Sequence, residues 1–181
     1  MKSLPGIVAR AAGVAVAGAR VLLVVPVLLV LWSVVPTVFG WRADVIMTGS
    51  MMPALRPGDV VVSRPAAAAE VAGGAIVLVR NPARPGTTLV HRTVGRTADG
   101  SLVTRGDANP VDDSTPVPAA AVLGLPRLRV PWVGLPLVWW ATGRYRPLAA
   151  AGAVLLLAAA GRPEPRRRHR ARHRVTPAVA T

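Results

Sequence analysis

Three kinds of side chain in this 181-residue chain could together perform nucleophilic chemistry: a serine hydroxyl, an imidazole and a carboxylate. Ser50 lies in the run Thr48-Gly49-Ser50-Met51-Met52-Pro53. A hydroxyl becomes nucleophilic only with a base in hydrogen-bond reach. His91, in Thr88-Leu89-Val90-His91-Arg92-Thr93-Val94, is the one histidine between residues 42 and 133, since His169 and His173 lie in an arginine-rich tail. No lysine occurs in that interval, so a Ser/Lys pair is excluded by composition. An imidazole can accept a proton at neutral pH without the desolvation a lysine base needs. A histidine base is in turn oriented by an acid. Asp107, which follows Gly106, and the pair Asp112-Asp113 are the candidates. Gly49 permits close backbone approach to a ligand, so the Ser50 amide, helped by the Thr48 hydroxyl, could form an oxyanion hole.

Each of these residues also has a plainer reading. His91 sits in an alternating stretch and could be an exposed strand residue. Asp-Ala-Asn-Pro is strong turn chemistry, so the acids could simply decorate a loop. Asp59, after Pro57-Gly58, is better read as a turn residue, and Met51, Met52 and Leu55 as packing residues. There is no cysteine, and three histidines leave little for a metal site, so no metal and no cofactor are expected.

The elements that must position these groups follow from the apolar pattern. Val21 to Phe39 runs without a charge for about 19 residues, which as a helix spans ~28 Å, close to a bilayer core. It is read as a transmembrane helix over residues 21–40, behind a basic cytoplasmic N-terminus (1–20) carrying Lys2, Arg10 and Arg20. The rival is a cleaved signal peptide. The run is long for that, and no clear small-x-small site follows it. Residues 41–133 read as an extracytoplasmic catalytic β domain. Short β-branched runs at 45–47, 60–62, 76–79, 89–94, 102–103 and 122–123 are separated by Pro-Gly, Asn-Pro and Asp-Gly turns. Pro65 to Gly74 reads as a short helix or a loop. Residues 134–146, with Trp139 and Trp140, are expected at the membrane surface. Arg144 and Arg146 divide them from a second apolar segment (147–161), the expected second transmembrane helix.

The net charge is +14 and the mean hydropathy +0.45. Much of the charge flanks the apolar ends, including the tail 162–181. That pattern orients a membrane protein, with both termini cytoplasmic, and needs no nucleic-acid partner.

Thr48 to Leu55 with Gly58-Asp59 resembles the nucleophile box of type I signal peptidases (serine peptidase family S26), roughly S-G-S-M-x-P-x-L-x-x-G-D. Bacterial members usually carry a lysine where His91-Arg92-Thr93-Val94-Gly95 stands. Histidine there resembles the endoplasmic-reticulum and archaeal branch, which also occurs in some Gram-positive bacteria. Thr104-Arg105-Gly106-Asp107-Ala108-Asn109 with Asp112-Asp113 resembles that branch's T-K-G-D-x-N-x-x-D-D. Val122-Leu123-Gly124 and Val130-Pro131-Trp132-Val133-Gly134 resemble its closing strands. The resemblance implies a mainly β, antiparallel fold with an apolar surface at the membrane. It implies Ser50 as nucleophile, His91 as general base, Asp113 as the acid supporting the histidine, and Asp107 as a second important acid. Thr48 departs from the usual serine, and Pro110 and Ser114 alter the acidic loop.

The expectation is therefore a multi-pass membrane serine endopeptidase that removes signal peptides from exported preproteins. Its partners would be those signal peptides, the lipid bilayer and, as a candidate, the secretion translocon. Two alternatives stand beside it. One is a dedicated peptidase for one or a few surface proteins. The other is a non-catalytic basic membrane protein that binds anionic lipid or nucleic acid.

Overall fold

The valine-rich runs pair into one six-stranded antiparallel sheet. In chain order the strands are β1 (Arg42–Val45), β2 (Val60–Arg64), β3 (Ile76–Arg80), β4 (Thr88–Arg96), β5 (Leu102–Arg105) and β6 (Val122–Val130). In space the order is β1-β2-β6-β3-β4-β5. This computed structural model describes residues 24–160 together with residues 14, 17, 18 and 21. Those positions apart, the expected N-terminal region 1–20 lies outside the described residues, as do the tail 162–181 and residues 22 and 23 of the first apolar run.

Successive strand residues point to opposite faces, and here both faces of the central strands are covered. On β2, Val61 joins Ile46, Met51, Leu55, Leu78 and Val90 in one core cluster, while Val60 and Val62 join Val130 in another. On β3, Leu78 enters the first cluster, whereas Val77 and Val79 pack with Leu102, Val117 and Leu125. Double-sided burial explains why these strands read as continuous apolar runs rather than as a polar/apolar alternation. The expected strand at 45–47 is displaced. Pairing of β1 with β2 ends at Val45↔Val60. Ile46 then exchanges hydrogen bonds with Gly58 and Asp59, both 2.8 Å, and the chain departs as a loop. Pro65 to Gly74 contains a 3-10 turn, Ala68–Glu70, and the amide of Ala67, just before it, donates to the Glu70 carboxylate.

Residues 24–34 are helical (α1) and lie against the outer face of the sheet, where Leu29 packs on the Val60/Val62/Val130 cluster. The helix tightens into a 3-10 segment, Val35–Phe39, in which Pro36 has no amide to donate, and it ends at Gly40 (φ 81°). After the sheet come α2 (Leu135–Ala141) and α3 (Tyr145–Ala160). The break between them falls at residues 142–144, so Arg144 lies in the connection and Arg146 in the first turn of α3. At 16 residues α3 is about 24 Å long. Among the described residues no helix is long and apolar enough to cross a membrane.

Candidate active site

The loop carrying Ser50 is fixed at its base and at its crest. At the base, Arg56-Pro57-Gly58-Asp59 forms a tight turn. Gly58 has φ 92°, and a Cβ there would lie 2.5 Å from the Leu135 side chain, so both conformation and space require glycine. Asp59 is fully buried, accepts the Arg56 amide (2.8 Å) and pairs with Arg129 Nε (2.7 Å). Arg129 also donates to the Ala54 carbonyl at 3.0 Å, tying the loop to β6. Asp59 is thus the turn residue expected from sequence, with an added ion pair that its neighbours do not reveal. At the crest, Met51 is buried in the core cluster and anchors the residue next to Ser50. A second anchor comes from the loop after β5. The Ala108 amide donates to the Ser50 carbonyl (2.8 Å). Gly106 permits this approach, because a Cβ there would stand 2.6 Å from the same oxygen.

His91 lies on β4 directly opposite Val77 of β3 and is only 4% exposed, so the exposed-strand reading fails. Its ring is engaged on both sides. Nδ1 is 2.6 Å from Asp113 Oδ2, and Nε2 is 3.2 Å from Ser50 Oγ. A carboxylate can only accept, so Nδ1 carries the proton and the Nε2 lone pair faces the serine. The same Asp113 oxygen accepts a second hydrogen bond from the buried Thr104 hydroxyl (2.6 Å), and the Asp113 amide donates to the Thr104 carbonyl (2.8 Å). Thr104 plays no part in the sequence-based site beyond its place in the Thr104–Asp107 run. Its contribution appears only when β5 is laid beside the acidic loop.

Asp107 is turned elsewhere. It receives a two-pronged pair of hydrogen bonds from Arg92 Nε and Nη2, both 2.8 Å, and no hydrogen bond links it to His91 or Ser50 among the described residues. These bonds raise the Arg92 guanidinium above its ordinary value, against the opposing effect of burial. Arg92 Nη1 reaches the Gly74 carbonyl (2.8 Å), so the pair clasps β4, the β5 loop and the turn before β3 together. Asp112 lies near Arg105 (3.4 Å) at the surface. Thr48 Oγ1 stands 3.3 Å from Ser50 Oγ. The amides of Thr48 and Ser50 donate to no backbone group among the described residues, so they remain available to a ligand. Among the described residues no group of three or more histidine or acidic side chains converges on a point that could hold a metal ion.

Ser50 and His91 open onto a cleft of about 750 Å³. One wall is the chain from Asp44 to Met51, and the other is Thr87 to His91 on β4. β5 pairs with β4 only from Arg92 onward, so among the described residues the edge of β4 at residues 88–91 that faces away from β3 has no strand beside it.

A sheet that presents a serine to a buried histidine backed by a half-buried aspartate, at the head of an extended cleft, has the arrangement of a serine hydrolase. Comparison with known families agrees. Residues 18–109, just over half of the chain, match the family described as signal peptidase, peptidase S26. The chain belongs to that family of serine peptidases. The matched stretch contains Ser50, His91 and Asp107 and stops short of Asp113, which the geometry brings to His91. No curated protein matches the chain.

Proposed function

We propose that this protein is a membrane-anchored serine endopeptidase that removes N-terminal signal peptides from exported preproteins, in the histidine-bearing branch of the family. The observation that carries the reading is the line Ser50 Oγ–His91 Nε2–His91 Nδ1–Asp113 Oδ2. Ser50 attacks the carbonyl of the scissile bond while Nε2 takes its proton. Asp113 holds the ring and stabilises the imidazolium. The Ser50 amide and the Thr48 hydroxyl receive the oxyanion. His91 then protonates the leaving amine, and an acyl-enzyme remains. A water activated by the same imidazole releases it. The substrate lies extended in the cleft and adds a strand to the free edge of β4. Asp107 acts as a positioning residue, through Arg92 and the loop that grips the Ser50 carbonyl.

A membrane location is supported by exposed apolar side chains at the two ends of the β domain. Val38, Phe39, Leu137 and Trp140 all face outward. Trp132 is 68% exposed and holds a left-handed backbone (φ 66°), a strained conformation for a bulky residue that is retained where function uses it. We place the β domain on the extracytoplasmic face with both termini in the cytoplasm, where a preprotein's signal segment would meet the cleft.

Co-expression with a model preprotein tests the reading. Ser50→Ala and His91→Ala should abolish processing while the protein remains inserted. Full processing by purified Ser50→Ala would refute it. A restricted diet of one or a few surface proteins is the second reading, supported by the charged outer end of the cleft described next.

A further inference from the structure

Beyond Asp44 and Thr88 the cleft opens into a second hollow of about 430 Å³. Asn81, Gly86, Thr87 and Thr88 are walls of both compartments, and Arg42 and Arg80 line the outer one. Alternate residues of a strand share a face, so Arg42 and Asp44 leave β1 on the same side. Arg80 of β3 stands directly opposite Thr88 of β4, which puts those two on one face as well. At the junction the Thr88 hydroxyl donates to Asp44 Oδ1 (2.9 Å) and ties the two walls together. Arg84 lines the inner compartment beside this tie. The charge here is unbalanced. Among the described residues Asp44 is the sole acid lining either compartment, and its partner is a neutral hydroxyl. Among the described residues Arg42, Arg80 and Arg84 make no salt bridge. Arg80 donates one N–H to the Ala120 carbonyl (3.1 Å).

We propose that the outer compartment is a subsite for an acidic side chain of the substrate, roughly five to seven residues before the bond that is cut. An extended strand advances ~3.3 Å per residue, and the wall it would follow runs back from Thr48 to Arg42, so a substrate strand reaches the arginines after about that many steps. The proposal rests on Ser50 being the nucleophile of an endopeptidase with its substrate in the cleft. Arg42 and Arg80 are then specificity-determining residues. They favour preproteins with Asp or Glu ahead of the cleavage site and disfavour those with Lys or Arg there.

The test uses the full-length protein in neutral detergent and preproteins differing only by Glu, Gln or Lys at the fifth, sixth or seventh residue before the cut. At low salt kcat/KM should fall from Glu to Gln to Lys, by roughly three- to tenfold per step at the best position, and the differences should shrink at high salt. The double variant Arg42→Glu/Arg80→Glu should invert the order, and Asp44→Asn should steepen the preference for Glu. Equal rates for the three substrates at all three positions would overturn the proposal. So would an Arg42→Glu/Arg80→Glu variant that slows all three in proportion, because that is a structural effect. Charge-blind cleavage overturns this proposal alone. No cleavage of any substrate by the unmodified protein overturns the peptidase reading as well.

Discussion

Asp113 Oδ2 accepts from the imidazole and from a threonine hydroxyl at the same time, both at 2.6 Å. Asp113→Asn would offer the ring an amide, which can hold the wrong tautomer and cannot stabilise the imidazolium. We expect kcat to drop by about 10³- to 10⁴-fold with little change in fold, measured by peptide cleavage beside circular dichroism. Thr104→Val removes one charge-assisted hydrogen bond, a loss of about 1.5–3 kcal/mol when borne fully by the transition state, so kcat should fall roughly ten- to a hundredfold, and Thr104→Ser should restore most of it. Thr48→Val deletes the hydroxyl beside Ser50 and should cost about 10²-fold in kcat, whereas Thr48→Ser should cleave near the original rate. That His91 would face Ser50 was legible in the sequence, because the Thr48–Pro53 run singles out the serine and composition leaves no other base in the β domain. Asp113 became legible through resemblance, since three acids within seven residues are indistinguishable by type. The Thr104 hydroxyl was not legible, because nothing local to a β-strand threonine says which side chain will lie opposite it.

The elements meet at two clasps, and each holds one side of the Ser50 loop. Arg92–Asp107 secures the loop whose Ala108 amide grips the Ser50 carbonyl. Asp59–Arg129 secures the turn that returns the chain to β2. Gly106→Ala would push a methyl against a backbone oxygen that cannot move without shifting Ser50. Activity should therefore fall sharply while the sheet stays folded, and a fluorophosphonate label on Ser50 would read the loss. Arg92→Lys forfeits the two-pronged geometry. A double-mutant cycle with Asp107→Asn should give a coupling on the order of 1 kcal/mol in stability, with kcat reduced far less than in His91→Ala. Asp59→Ala leaves the Arg56 amide and Arg129 without their acceptor and should destabilise by about 1–3 kcal/mol in chemical denaturation. The turn at 56–59 was readable from Pro-Gly-Asp. The arginine partners were not, because Arg92 and Arg129 look like any solvated strand arginine until their cross-strand neighbours are known.

At the scale of the whole molecule, strand content was legible and strand order was not. The β-branched runs marked five of the six strands and met β1 only at Val45, but β6 lies between β2 and β3 although more than forty residues separate it from either. No local pattern encodes such a pairing. The exposed apolar ends of the β domain carry a prediction at this scale. Trp132→Ser together with Trp140→Ser should lower kcat/KM for a bilayer-embedded preprotein several-fold. A short soluble peptide should be cut as before, because neither indole lines the cleft. Equal losses on both substrates would assign these tryptophans to folding instead.

The position of β6 also bears on how the two halves of the site are joined. β2, which receives the Ser50 loop, pairs with β1 and β6; β3, beside the His91 strand, pairs with β4 and β6. A chain lacking residues 122–130 therefore holds its serine and its imidazole on two sheet fragments with no strand pairing between them, and β5 with the Asp113 loop pairs with only one of them. Released, truncated chains ending near residue 121 should be inert toward serine-directed probes, and chains that include β6 through Val130 should label. A label that appears only once β6 is present would show that this strand joins the two halves of the site.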